Sequence, residues 1–165
     1  MTSGRFAFPT LPLMLAPALL LLASGCGGTS RGCIQCPPME GRYTLELEPG
    51  TTPSTCSGVT VELPDGALEV NRQGSDITAT LDGLTLRGTL FQTYDFSLVG
   101  NSLGQQTDGG TGGPDSTILS GRYIPAIGDG GVPRLVGDWQ GNFSSTLAGG
   151  TRRCSVTRSF TALRQ

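Results

Sequence analysis

The chain is written in short runs of alternating apolar and polar residues, each stopped by a glycine or proline turn. That pattern restricts it to antiparallel β structure. Tyr43, Leu45 and Leu47 alternate with Thr44, Glu46 and Glu48 before Pro49-Gly50. Val59, Val61 and Leu63 repeat the pattern before Pro64-Asp65-Gly66, and Leu68 with Val70 begin a third run that breaks near Gly74. The clearest local signal is the pair of runs 77–81 and 84–90 around Asp82-Gly83, whose tolerance of positive φ suits a two-residue hairpin. Tyr94, Phe96 and Leu98 alternate with Asp95, Ser97 and Val99, and residues 119–123, 135–143 and 153–163 supply three final runs. Between them, residues 101–116 lose all periodicity around Gly104, Gly109, Gly110, Gly112, Gly113 and Pro114, and predict a disordered loop. No amphipathic helical period follows Cys26. The expected fold is all-β, an antiparallel meander of about eight or nine short strands forming a closed or nearly closed barrel, with a β-sandwich as the alternative. A barrel is preferred because closure removes the unpaired edge strands.

Gly88, Gly121 and Gly137 stand in similar triplets, Leu86-Arg87-Gly88, Leu119-Ser120-Gly121 and Leu135-Val136-Gly137. Glycine there suits the bends of a strongly curved sheet, where a side chain would crowd its neighbour.

Composition removes several kinds of chemistry. The sequence has no His, which eliminates Ser-His-Asp and Cys-His nucleophile systems and every His-containing metal site. A net charge of −2 argues against a nucleic-acid partner, which would demand a basic stripe. Gly109 to Asp115 lacks the Lys-Ser/Thr ending of a phosphate loop and the spaced carboxylates of a calcium repeat. Glu46 with Glu48, or Glu62 with Glu69, could form an acid/base pair, but Glu46, Glu48 and Glu62 fall on the polar phase of their runs and are expected to face water. Trp139 is in register with Leu135 and Phe143 and is read as core, as are Tyr43, Tyr94 and Phe96. The inward positions of the barrel are assigned to Leu45, Val61, Leu84, Leu86, Phe96, Trp139 and Phe143. No catalytic residue, cofactor or metal is expected.

Besides Cys26 there are four cysteines, Cys33, Cys36, Cys56 and Cys154, and an even number in an exported chain reads as two disulfides. In an even-stranded meander the last strand begins near the beginning of the second. Cys154 opens the last run and Cys56 opens the second, so this pair is expected to staple the closing seam, leaving Cys33 to pair with Cys36. The Cys33-Ile34-Gln35-Cys36 spacing also matches dithiol redox motifs, but those sit after a strand at the start of a helix, and this one lies in a Gly/Pro-rich stretch. A structural bond is expected, and a CxxC thiol oxidoreductase stands as a distant alternative.

The N-terminal segment carries a resemblance. From Phe6 to Gly25 no residue is charged, Arg5 supplies a thin positive region, and the run closes on Leu22-Ala23-Ser24-Gly25-Cys26. This resembles the lipobox of bacterial lipoproteins, in which the signal peptide is removed before a cysteine that carries diacylglyceryl and amide-linked acyl chains (palmitate among them). The resemblance implies a signal peptide over 1–25, lipidation at Cys26, a flexible tether over 26–40 and a barrel domain over 41–165. It implies attachment to a bacterial cell envelope facing the periplasm, and Gly27, where an Asp would signal inner-membrane retention, favours the outer membrane. The barrel domain loosely resembles small calycin-like or lipocalin-like barrels, and Gly41-Arg42-Tyr43 stands where a lipocalin has Gly-x-Trp. The expectation is a lipid-anchored, non-catalytic β domain with a protein-binding or structural role, partnered by the membrane through Cys26 and by an envelope protein. The alternative is a lipocalin-like carrier of a small apolar ligand.

Overall fold

The computed structural model describes residues 32–102, 113–128, 130–147 and 150–165. The proposed signal peptide, Cys26, the beginning of the tether and residues 103–112 of the long loop lie outside the described residues. Eight strands follow in order: β1 (Gly41–Leu47), β2 (Ala67–Gln73), β3 (Asp76–Leu81), β4 (Leu84–Leu90), β5 (Asp95–Asn101), β6 (Ser116–Ile124), β7 (Arg134–Leu147) and β8 (Gly150–Arg164). Each pairs antiparallel with the next, and β8 returns to β1, closing the barrel. The closing register runs from Tyr43 opposite Arg164 to Leu47 opposite Phe160. The all-β meander expected from the alternating runs is the fold of the protein.

The alternation that makes these strands also sorts their side chains. Tyr43, Leu68, Leu86, Leu98, Leu119 and Trp139 point inward and are 0 % exposed. Glu69, Asn71, Thr80, Thr85, Arg122 and Ser159 face water. A barrel that spans a bilayer has the reverse polarity, with an apolar outer band. This one buries its apolar residues inside itself, each large side chain contributing about 1.5–3 kcal/mol relative to exposure.

Curvature is set by glycine. Gly121 of β6 stands directly opposite Gly137 of β7. A Cβ on Gly137 would come within 2.5 Å of the Gly121 Cα, and one on Gly121 within 3.0 Å of the Gly137 Cα. Gly88 would similarly run into the backbone of Ser97 and Leu98. The three triplets therefore mark places where adjacent strands approach too closely for any side chain.

One expected strand does not form. Residues 59–63 belong to the long connection between β1 and β2, and β1 is already paired on both edges by β2 and β8. Cys56 likewise opens no strand but lies in a 3-10 turn, Ser54–Cys56. That connection has a different task. The N-terminal half of β8 extends past the end of β1 and pairs only with β7. The connection runs along this uncovered edge: the Glu48 amide donates to the Ser159 carbonyl at 2.8 Å, Arg158 donates to Gly50 O at 3.0 Å and Arg152 to Ser57 O at 3.1 Å. A segment fastened by single bonds, rather than a ninth strand, covers the edge.

The barrel thus has two distinct ends. The lower end holds the start of β1, the β2–β3, β4–β5 and β6–β7 connections and the C-terminus. The upper end holds the β1–β2, β3–β4, β5–β6 and β7–β8 connections.

Candidate functional site

The lower mouth is closed by the protein's own chain. Gly32 forms an antiparallel bridge with Phe91, and the Cys33 amide donates to the Leu90 carbonyl at 2.9 Å. From β4 the segment crosses the mouth to reach β1, and on the way it buries Pro37 and Met39, the latter completely. Three side chains from separate strands fasten it. The Tyr43 hydroxyl of β1 donates to the Met39 carbonyl at 2.6 Å, and Tyr123 of β6 and Arg164 of β8 both donate to the Pro38 carbonyl, at 3.2 and 3.3 Å. Glu40 adds an ion pair with Arg72 at 2.5 Å. Residues 32–40, expected as the distal end of a tether, are instead a plug. Pro37 and Pro38 fit this role because their fixed φ limits the freedom of the segment, and the Met39 amide donates back to the Pro37 carbonyl at 2.8 Å to close a tight turn over the opening.

Burial leaves its mark on the two tyrosines. Loss of water around the Tyr43 hydroxyl is the main reason its pKa is pushed up to about 12, with Tyr123 nearby adding in the same direction. Tyr123 is shifted upward as well, again chiefly by burial. Both hydroxyls therefore remain protonated donors across the neutral range, as their bonds to backbone carbonyls require.

Above the plug, large side chains of the described residues pack into the lumen. Met39, Tyr43, Phe96, Trp139 and Phe143 are at most 2 % exposed, so no water-sized space adjoins them. Trp139 and Phe143 pack as tilted rings 6.3 Å apart. The indole Nε1 of Trp139 is buried without a hydrogen-bond partner among the described residues. Of the assigned inward positions, Leu45, Leu86, Phe96, Trp139 and Phe143 are core, whereas Leu84 and Val61 are only partly buried. Tyr94, also read as core, is 38 % exposed and adopts φ +65 in the turn before β5.

The remaining candidates are dispersed. Glu46, Glu48 and Glu62 are exposed, and Glu69 is held by Arg42 at 3.4 Å. No acid/base pair is assembled from them. Among the described residues no three His, Cys, Asp or Glu side chains converge as a metal site.

Cysteines lie at disulfide distance in two pairs. Cys56 and Cys154 have Cα atoms 5.1 Å apart and join the β1–β2 connection to β8 at the upper end. Cys33 and Cys36, with Cα atoms 5.3 Å apart, close a small ring at the start of the plug. No helix follows this ring, and Cys33 is buried, so the dipole that lowers the pKa of a redox cysteine has no counterpart here. Beside the ring lies a shallow open groove lined by Ile34, Gln35, Gln92 and Tyr94.

No family model matches this chain, nor does any curated protein or solved structure. Its functional reading therefore rests on its own residues. The features that sequence reasoning passes over, the plug and an apolar lower rim, come from loops. The rim's one signal in the sequence is the uncharged run Tyr123-Ile124-Pro125-Ala126-Ile127-Gly128.

Proposed function

We propose that the protein is a lipid-anchored domain of a bacterial cell envelope, held at the outer membrane through Cys26, whose barrel acts as a non-catalytic scaffold for an envelope protein partner. The lipobox-like run ending at Cys26 supports the anchor. The observation that carries the choice between scaffold and carrier is the packing of large side chains inside the barrel among the described residues. A carrier of small apolar molecules keeps room inside its barrel. Here Trp139, Phe143, Phe96 and Tyr43 occupy that room, and Met39 plugs the lower mouth. The stapling of the upper end by Cys56 and Cys154 fits an oxidising compartment.

Mass spectrometry of the full chain expressed in a bacterial host and extracted from its membranes tests both halves. The expected denatured mass corresponds to cleavage before Cys26 plus a diacylglyceryl and an acyl group, and Cys26→Ser abolishes it. The expected native mass carries nothing further. An additional mass that disappears on denaturation would transfer the reading to a ligand carrier, and an unacylated chain would overturn the anchor.

A further inference from the structure

The exposed apolar side chains are unevenly distributed between the two ends. Among the described residues, Ile34, Tyr94, Ile127, Val132 and Leu163 are large apolar groups that face water at or near the lower end, while Leu63 is the one at the upper end and Val99 lies on the wall. Ile34 and Ile127 are 86 % and 85 % exposed, an orientation that wastes apolar surface in water. These groups also share a sector. Ile34 and Tyr94 flank one groove at the β4–β5 turn. Ile127 and Val132 sit in the next connection, between β6 and β7, and Leu163 stands opposite Arg134 on the next strand pair.

The same end receives the chain from Cys26. Gly32 is bonded to Phe91 at the rim, and six residue steps separate it from Cys26. Even fully extended, that length reaches only about 20 Å. We infer that the lower rim is a membrane-seating surface: Ile34, Tyr94, Ile127 and Val132 insert at the headgroup–acyl boundary of the bilayer that holds the anchor. The inference rests on the lipidation reading of Cys26.

The chemistry of the rim fits that occupant. Branched aliphatic side chains contribute apolar area to the interface, and Tyr94 supplies a ring with a polar tip, the type enriched at headgroup depth. Charge is compatible. Asp95, beside Tyr94, is held by Arg122 at 2.7 Å and its pKa is lowered mainly by that hydrogen bond, so its charge is compensated. Arg134, exposed at the foot of β7, forms no ion pair among the described residues. The upper end carries exposed Glu48, Glu62, Asp65 and Asp82 against exposed Arg152 and Arg153, and the lower end carries exposed Asp76 besides Arg134, so the apolar rim and the position of Gly32, rather than charge, select the lower end.

The test uses the full acylated chain in vesicles of phosphatidylglycerol mixed with phosphatidylcholine brominated on its acyl chains, which quenches nearby indoles. Ile127→Trp and Ile34→Trp report the lower rim, and Leu63→Trp reports the upper end. All three positions are exposed, so the substitutions leave the core intact, and the emission of buried Trp139 is subtracted. The expected result is a blue shift and loss of the added emission for the two lower-rim variants, with Leu63→Trp unchanged. An acylated, vesicle-bound protein whose Ile127→Trp and Ile34→Trp emissions remain unquenched would overturn the seating while leaving the anchor in place. A chain with no acyl mass on Cys26 overturns both together.

Discussion

Tyr43 couples the plug to pH. Its ordinary pKa is 10.0, and burial in the folded barrel pushes it up to about 12. The unfolded chain therefore releases this proton first, so the contribution is fully present below pH 10 and is lost as pH rises through about 12. Denaturant midpoints measured across that window should fall steeply for the native protein. Tyr43→Phe should flatten the fall, leaving the share due to Tyr123, whose shift has the same sign. At neutral pH the same variant should cost about 1 kcal/mol, the usual worth of a hydrogen bond, because the Met39 carbonyl loses its donor. Trp139 belongs to the same scale. It is 0 % exposed inside the lumen, and Trp139→Ala should destabilise by about 3–5 kcal/mol, read in equilibrium unfolding.

Among the elements, the β6–β7 pair tolerates little change. Gly137→Ala would push a methyl group against Gly121 and the Ser120 backbone, so it should lower stability by about 1–3 kcal/mol although it adds only one carbon. The Cys56–Cys154 bond spans 98 residues of chain, and replacing both by Ser should cost up to about 4.7 kcal/mol by the loop-entropy argument, checked in the same unfolding assay. This is also the scale at which the sequence speaks most clearly. Asp82-Gly83 announces its hairpin because both residues need positive φ, and they adopt +49 and +79. The glycine triplets announce curvature because a missing side chain is a local fact. Val59, Val61 and Leu63 mislead because alternation records which side chains are covered, not whether a neighbouring strand has a free edge. In the structure they run from buried Val59 through half-buried Val61 to exposed Leu63, along a connection with no strand left to join.

For the molecule as a whole, the decisive quantity is which loops share an end, and strand-order parity alone sets it. Ile34, Tyr94 and the pair Ile127 and Val132 are far apart in the sequence, and no local pattern links them. They meet because the connections after even-numbered strands all return to the end where β1 begins. The plug is illegible in the sequence for a related reason. Met39 lies in a Gly/Pro-rich stretch with no periodicity, and its burial depends on Tyr43, Tyr123 and Arg164 arriving from three strands. Met39→Asp tests this closure. A carboxylate cannot remain unpaired in that core, so the segment should leave the mouth, giving increased binding of a hydrophobic dye and faster amide exchange in β1 with the rest of the barrel protected.

The crossing segment has a mechanical consequence. Tension applied upstream of Gly32 does not reach β1 directly. It loads first the Gly32–Phe91 bridge, then the Cys33–Leu90 hydrogen bond and then the bonds to Pro38 and Met39, which can break in succession. Their stepwise rupture would release about 30 Å of slack at full extension, less the length locked in the Cys33–Cys36 ring, while the eight strands stay zipped. The plug is therefore also a spooled reserve of leash, and the disulfide sets how much of it can unwind.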